Sequence, residues 1–259
     1  MFTRFAMLIF IVMLALPVTA LTRPGETGQA PWSQSAAVAK AKKHKKKDKP
    51  KFTTVARTVR QPVTQTFTSS EPMTVPNGAP GTTLGPASLY PSAITVAGFP
   101  NGVITDVDLL LLDVTHQIAE DLDILLSAPD GHRAIVLSDV GDDFKVTNVD
   151  LTLDDEAAAS VPNFDIVSGT FRPTDNSLPS SPLDPFDAPA PAPDGSVALS
   201  TFDGADPNGT WQLWVMDDTT GEVGSIRAWA LRITGEVDAG TVEERVPTGK
   251  DAKKRRRHR

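Results

Sequence analysis

The chain has 259 residues and no cysteine, with 22 Pro, 18 Gly, 6% aromatic residues and a formal net charge of −7. This composition excludes disulfides and thiolate metal centres, and it suits a turn-rich β domain with polar flanks. The charge is divided: residues 61–235 hold 5 Lys/Arg against 25 Asp/Glu, while the flanks hold 20 against 7. An acidic body with basic arms excludes nucleic-acid binding by the folded part.

Met1 to Ala20 (MFTRFAMLIFIVMLALPVTA) reads as a secretory signal peptide. Arg4 gives a positive start, Phe5 to Leu16 is apolar, and Val18-Thr19-Ala20 fits the small-residue rule before a cleavage site. The apolar run is shorter than the ~20 residues a membrane span needs. An uncleaved anchor is the alternative reading. Cleavage after Ala20 predicts a secreted, extracellular protein that does not span a membrane. Residues 21–60 then read as a disordered basic linker, and 236–259 as a disordered basic tail. The run Ala39 to Lys51 (AKAKKHKKKDKPK) is either a solvated spacer or a contact for anionic cell-wall polymer.

The folded domain is expected over 61–235. Val63 to Thr68 and Ser92 to Ala97 are short β-prone stretches, separated by a Pro/Gly-rich loop over Pro72 to Tyr90. Val103 to Val114 (VITDVDLLLLDV) reads as half-exposed in its first half and as buried on both sides in its second. Asp121 to Ser127 (DLDILLS) alternates Leu122, Ile124 and Leu126 with Asp121 and Asp123. Ala128-Pro129-Asp130-Gly131 is a turn, since Pro presets φ and Gly accepts a positive one. Arg133 to Leu137 returns as a hairpin arm, and Val149, Leu151 and Leu153 mark another one-sided strand. Pro173 to Pro193 is an irregular excursion without periodicity.

The last apolar stretch, Leu199 to Ile233, reads as two strands around the acidic loop Asp217 to Gly224. Trp211 and Trp229 alternate in phase with Leu and Val and are expected as core anchors. Trp214 has the opposite phase, so it is read as a second-sheet contact or as a surface contact for a sugar or partner. Many short strands without a helical pattern predict an all-β fold, a sandwich or jelly roll.

Several motifs now stand in order: Thr115-His116, Asp121-Leu122, Ser127 to Gly131, Gly209-Thr210-Trp211-Gln212-Leu213-Trp214-Val215-Met216-Asp217, and Gly224 to Leu231. Together they resemble the P domain (P/Homo B domain) of kexin- and furin-like proprotein convertases and bacterial subtilisin-like proteases. The resemblance covers 94–235. Ala128 is an insertion before the family's proline, and Ile226 replaces a leucine.

The resemblance implies a jelly-roll β-barrel of the galactose-binding-like type with eight or nine strands. It also implies a module that stabilises a subtilisin-like serine endopeptidase and tunes its calcium dependence. The subtilisin signatures Asp-Ser/Thr-Gly, His-Gly-Thr and Gly-Thr-Ser-Met are absent from this sequence. No catalytic residue is therefore expected, and His116 and His132 are read as structural and solvent-facing. Asp121 and Asp217 match positions the family keeps acidic. They are the first candidates for a structural Ca²⁺ or a hydrogen-bonded corner, with Asp142 and Asp143 as added ligands. The function expected is an exported, non-catalytic P-domain protein that docks on a protease or another surface protein. The alternatives are a carbohydrate or cell-wall binding module, or a factor acting in trans on a subtilisin-like protease.

Overall fold

The structure, a computed structural model, describes residues 51–177, 184 and 186–248. The expected signal peptide, the linker as far as residue 50 and the tail from residue 249 lie outside the described residues.

The alternating segments form strands: β1 (Lys51–Ser69), β2 (Met73–Val75), β3 (Gly85–Pro86), β4 (Ser92–Val96), β5 (Val103–His116), β6 (Leu122–Ser127), β7 (Arg133–Ser138), β8 (Val146–Leu153), β9 (Gly169–Phe171), β10 (Thr174–Asp175), β11 (Gly209–Asp217) and β12 (Gly224–Thr248). The helical content among the described residues is two single 3-10 turns, Ala119–Asp121 and Leu199–Phe202. The chain is all-β, as its patterning predicts, with two six-stranded sheets forming a sandwich. The short strands β2 and β3 lie within the stretch read as a loop.

Each sheet is built around one long apolar strand. β1 and then β2 run along one edge of β12, β5 runs along the other, and β8 and β9 follow. In the second sheet β4 and β3 run along one edge of β11, β6 along the other, and β7 and β10 follow. The β7–β10 and β8–β9 pairs are parallel, and the remaining pairs are antiparallel. Register places like with like: Trp229 faces Leu111, Leu231 faces Leu109, Trp211 faces Ile94 and Val215 faces Ile124.

The inner faces meet in one core. Trp211 and Trp229 are both fully buried within it. Each indole N–H finds an acceptor: Trp211 donates to the Pro207 carbonyl at 3.0 Å, and Trp229 donates to Ser92 Oγ at 2.8 Å. Phe202 meets Trp211 edge-on with centroids 5.0 Å apart. Burying one such ring is worth about 2–3 kcal/mol, and the satisfied N–H removes the penalty that burial would otherwise carry.

The second sheet is covered on part of its outer face too. Leu125 of β6, Ile135 of β7 and Trp214 of β11 form a separate apolar cluster there. Tyr90, Phe186 and Ala190 pack over it, with Tyr90 edge-on to Trp214 at 5.1 Å. Trp214 is 3% exposed, and its N–H donates to Ser127 Oγ at 3.0 Å. The surface-contact reading of Trp214 is thereby corrected: part of the proline-rich excursion lies across this face and closes it.

The domain boundaries are corrected as well. β1 begins inside the stretch assigned to the linker, and β12 continues to Thr248 inside the stretch assigned to the tail. From Lys51↔Thr248 to Arg60↔Asp238 the two strands form a ribbon. Phe52, Val55, Val59, Val242 and Val246 are exposed along it. Charge hid this pairing from the sequence reading, but β-branched residues and cross-strand partners support it. Arg245 stacks over the Phe52 ring at 5.1 Å, and Arg60 reaches Asp238 at 4.0 Å.

One charged pair sits against the first sheet. Asp108 of β5 is 1% exposed, and its Oδ2 accepts from Arg232 Nε of β12 at 2.7 Å. Oδ1 has no partner among the described residues. Burial holds the Asp108 carboxyl above the usual range, and Arg232 pulls it back. A carboxyl raised in the folded state binds protons more tightly there, so its contribution to stability is largest in acid and falls as pH rises. Replacing Arg232 by Met removes the opposing charge. The variant should lose about 1–3 kcal/mol at neutral pH and markedly less near pH 4. Urea unfolding of both proteins across that range measures the difference.

Candidate functional site

The acids are not spread evenly over the sandwich. β5 ends at His116, β6 starts at Leu122, and β11 ends at Asp217, so one end gathers His116, Asp121, Asp217 and Asp218. The Asp218 N–H donates to the Asp121 carbonyl at 3.1 Å and ties the start of β6 to the end of β11.

His116 is buried and both ring nitrogens are engaged. Nδ1 contacts the Ile118 carbonyl, and Nε2 lies 3.3 Å from Asp217 Oδ2. A carbonyl can only accept, so Nδ1 carries a proton. The contact with Asp217 then needs a second proton, on Nε2 or on the carboxyl. Both side chains are inaccessible to solvent. Burial raises the Asp217 carboxyl above the usual range, and the charge and hydrogen bond of His116 oppose the rise. Asp121 stands beside this pair, 4% exposed, with Oδ2 unpartnered among the described residues. Burial, reinforced by the Asp217 charge and opposed by His116, pushes its carboxyl up to about 6. The arrangement is a buried polar corner. A histidine with both nitrogens committed inside the fold has no free lone pair to offer a substrate. His132 belongs to the β6–β7 turn instead, where Nδ1 lies 2.8 Å from Asp130 Oδ2 in an exposed pair.

The glycines of the motifs explain the corner's construction. β12 opens with Gly224 opposite His116. A Cβ at Gly224 would overlap both the His116 ring and the Thr115 carbonyl. Gly209 opens β11 at φ +133, and a Cβ there would lie 2.6 Å from Pro129 Cβ. The Ser127 to Gly131 turn is thus clamped against the start of β11. The turn closes with the Gly131 N–H donating to the Ala128 carbonyl at 3.1 Å. The motif residues therefore contact one another across the fold.

The four acids expected around one Ca²⁺ do not converge. Asp121 and Asp217 share the buried corner with His116. Asp142 and Asp143 lie with Glu120 in an exposed group whose carboxylate oxygens are within 4.8 Å of one another. A different group, Asp139, Asp175 and Asp184, meets within the same distance and is more deeply placed. The sequence reading missed Asp175 and Asp184, because both lie in the proline-rich excursion where no periodicity places a side chain. Asn208 of the Asn-Gly-Thr sequence is also committed to the fold. Its amide donates to the Phe99 carbonyl at 2.7 Å and to Asp206 Oδ1 at 2.6 Å.

The proprotein convertase P-domain family model matches residues 187–233. The match includes all of β11 and the core-forming first half of β12, so the resemblance read from the motifs is borne out over that segment. No curated protein matches the chain. Among solved structures, a serine protease of Aeromonas sobria is similar at 15% identity and a TM-score of 0.31, over 73% of this chain and 28% of that one. The complex of that protease with its chaperone is similar at 15% identity and a TM-score of 0.31, over 71% of this chain and 27% of that one. The chain thus spans less than a third of the length of either solved chain.

Gly224→Ala should cost at least about 1–3 kcal/mol, because the atoms in the way are backbone and a buried ring. Gly81 has no such crowding, its nearest neighbour being the Gly78 carbonyl at 3.4 Å. Gly81→Ala should leave the melting temperature within about 1 °C of wild type, and a thermal melt of both variants distinguishes the positions.

Proposed function

We propose that the chain is an exported, non-catalytic P-domain module that docks on a subtilisin-like serine protease and stabilises it. The observation that carries this reading is the P-domain match over residues 187–233. The matched residues supply Trp211 and Trp229 to the core and Asp217 to the buried corner, which are structural roles. His116, the one histidine of that corner, has both nitrogens engaged. No helix among the described residues is long and apolar enough to cross a membrane. Export rests on the leader pattern of Met1 to Ala20.

Docking is suited to a surface that is acidic over the folded part. Such a surface steers basic partners and repels acidic ones. The basic run Ala39 to Lys51 supports a second contact, with anionic cell-wall polymer, that would hold the module near its place of action.

Co-purification from culture supernatant tests the main reading. A subtilisin-like protease should elute with the tagged chain, and its half-life at elevated temperature should lengthen several-fold when the chain is added back. A chain that elutes alone and leaves the half-life unchanged would reject the proposal. Sequencing of the secreted protein should begin at Leu21. Retention on isolated cell wall at low salt and release at high salt is the expected behaviour of the basic arm, since the attraction is screened.

A further inference from the structure

A fourth acid, Asp123, stands next to the group in which Asp139, Asp175 and Asp184 meet. β6, β7 and β10 lie side by side, and Ser138 pairs in register with Asp175. Asp123 of β6 projects beside them. It is 1% exposed, and its Oδ2 has no hydrogen-bond partner among the described residues. The charges that act on it most strongly are acids, led by Asp184. Two hydroxyls complete the surroundings. Ser138 Oγ donates to Asp184 Oδ2, and Ser177 Oγ reaches both Asp175 Oδ1 and Asp184 Oδ2. Asp139 takes a left-handed backbone at φ 52, which turns the chain at the end of β7. None of the four acids has a basic partner among the described ion pairs.

Four neighbouring carboxylates, two of them buried, repel one another and lose hydration together. Asp108 shows how this chain treats a buried acid elsewhere, by giving it an arginine. Here the compensation offered is geometric: carboxylate oxygens within 4.8 Å of one another, with an unpartnered oxygen of Asp123 next to them. Oxygen-only donors select a hard cation. A mixed, irregular set with spare coordination sites suits Ca²⁺, which accepts 6–8 oxygens, better than Mg²⁺, which demands a regular octahedron.

We propose that Asp123, Asp139, Asp175 and Asp184 form a binding site for a single Ca²⁺ ion, which fastens the proline-rich excursion to the second sheet. This site is distinct from the four acids the sequence singled out. The ion offsets two of the four negative charges and links a regular strand, β6, to Asp184 of the excursion that covers it.

Calorimetric titration of the EDTA-stripped secreted chain with CaCl₂ tests the site. One saturable binding event and a higher melting temperature in Ca²⁺ are expected, and the absence of saturable binding by the folded wild-type chain overturns the proposal. Asp175→Asn, at a half-buried position, should weaken binding by at least about tenfold. Asp123→Asn removes the buried oxygen and should do the same. Asp142→Asn, in the exposed group, should leave affinity unchanged. Binding that is lost in Asp142→Asn and kept in Asp175→Asn would place the ion in the other group and overturn the assignment. If Asp123→Asn fails to fold, Asp175→Asn and the wild-type titration still decide.

Discussion

The constraint on which the structure depends is that the outer face of its second sheet is covered over β6 and most of β7, while β4 leaves Ala93 and Thr95 exposed. A sheet in a two-layer sandwich ordinarily packs one side and exposes the other. Here β6 is buried at every position. The inner side meets the first sheet through Leu122, Ile124 and Leu126, and the outer side is closed over Leu125 by Trp214 and Phe186. Closing that side adds a second apolar cluster. It also forces the polar groups that lie under the cover to find partners inside the fold. Ser127 finds Trp214. Asp123 leaves an oxygen without one among the described residues. The apolar gain and the stranded carboxylate are two results of the same coverage.

The same coverage marks where the sequence stops being informative. Alternation correctly located β5, β6, β7, β11 and β12, because each shows one consistent apolar face to the core. It read Asp123 and Trp214 as outward, which is true of their direction and false of their surroundings. Alternation reports which way a side chain points; it does not report what lies beyond it. The covering segment has no period, so neither its path nor the placement of Asp175 and Asp184 could be anticipated. The ribbon was missed for another reason. Lys51 to Arg60 carries three basic residues, and the opposing stretch of β12 is acidic. Read singly, each looked like solvated linker. Read as a pair, they are complementary. The glycines were legible as motif and illegible as mechanism, since only the structure shows that Gly224 makes room for His116 and Gly209 for Pro129.

A strongly acidic body would be expected to strain under its own charge, yet the acids are handled locally. Asp108 is paired with Arg232, and Asp217 lies against His116. The exposed acids are left to solvent. What distinguishes the motif-bearing end is that its polar groups His116, Asp121 and Asp217 are themselves buried. A substitution there is felt as a packing fault and an electrostatic fault together, and those costs are not independent. That coupling fits the P-domain match falling on β11 and β12, the strands that carry both kinds of residue.

The paired ends of β1 and β12 also set how the domain answers to force. Lys51 and Thr248 are cross-strand partners at the tip of the ribbon. Tension that separates them opens hydrogen-bonded pairs one after another, so the ribbon yields at low load, like a zip. Tension applied to both strands together, along the ribbon, is carried into the body by β12. There it is resisted by many β12–β5 bonds acting in parallel, from Glu236↔Val103 to Gly224↔His116. The domain is therefore compliant when the two ends are drawn apart and stiff when both are drawn together along the ribbon.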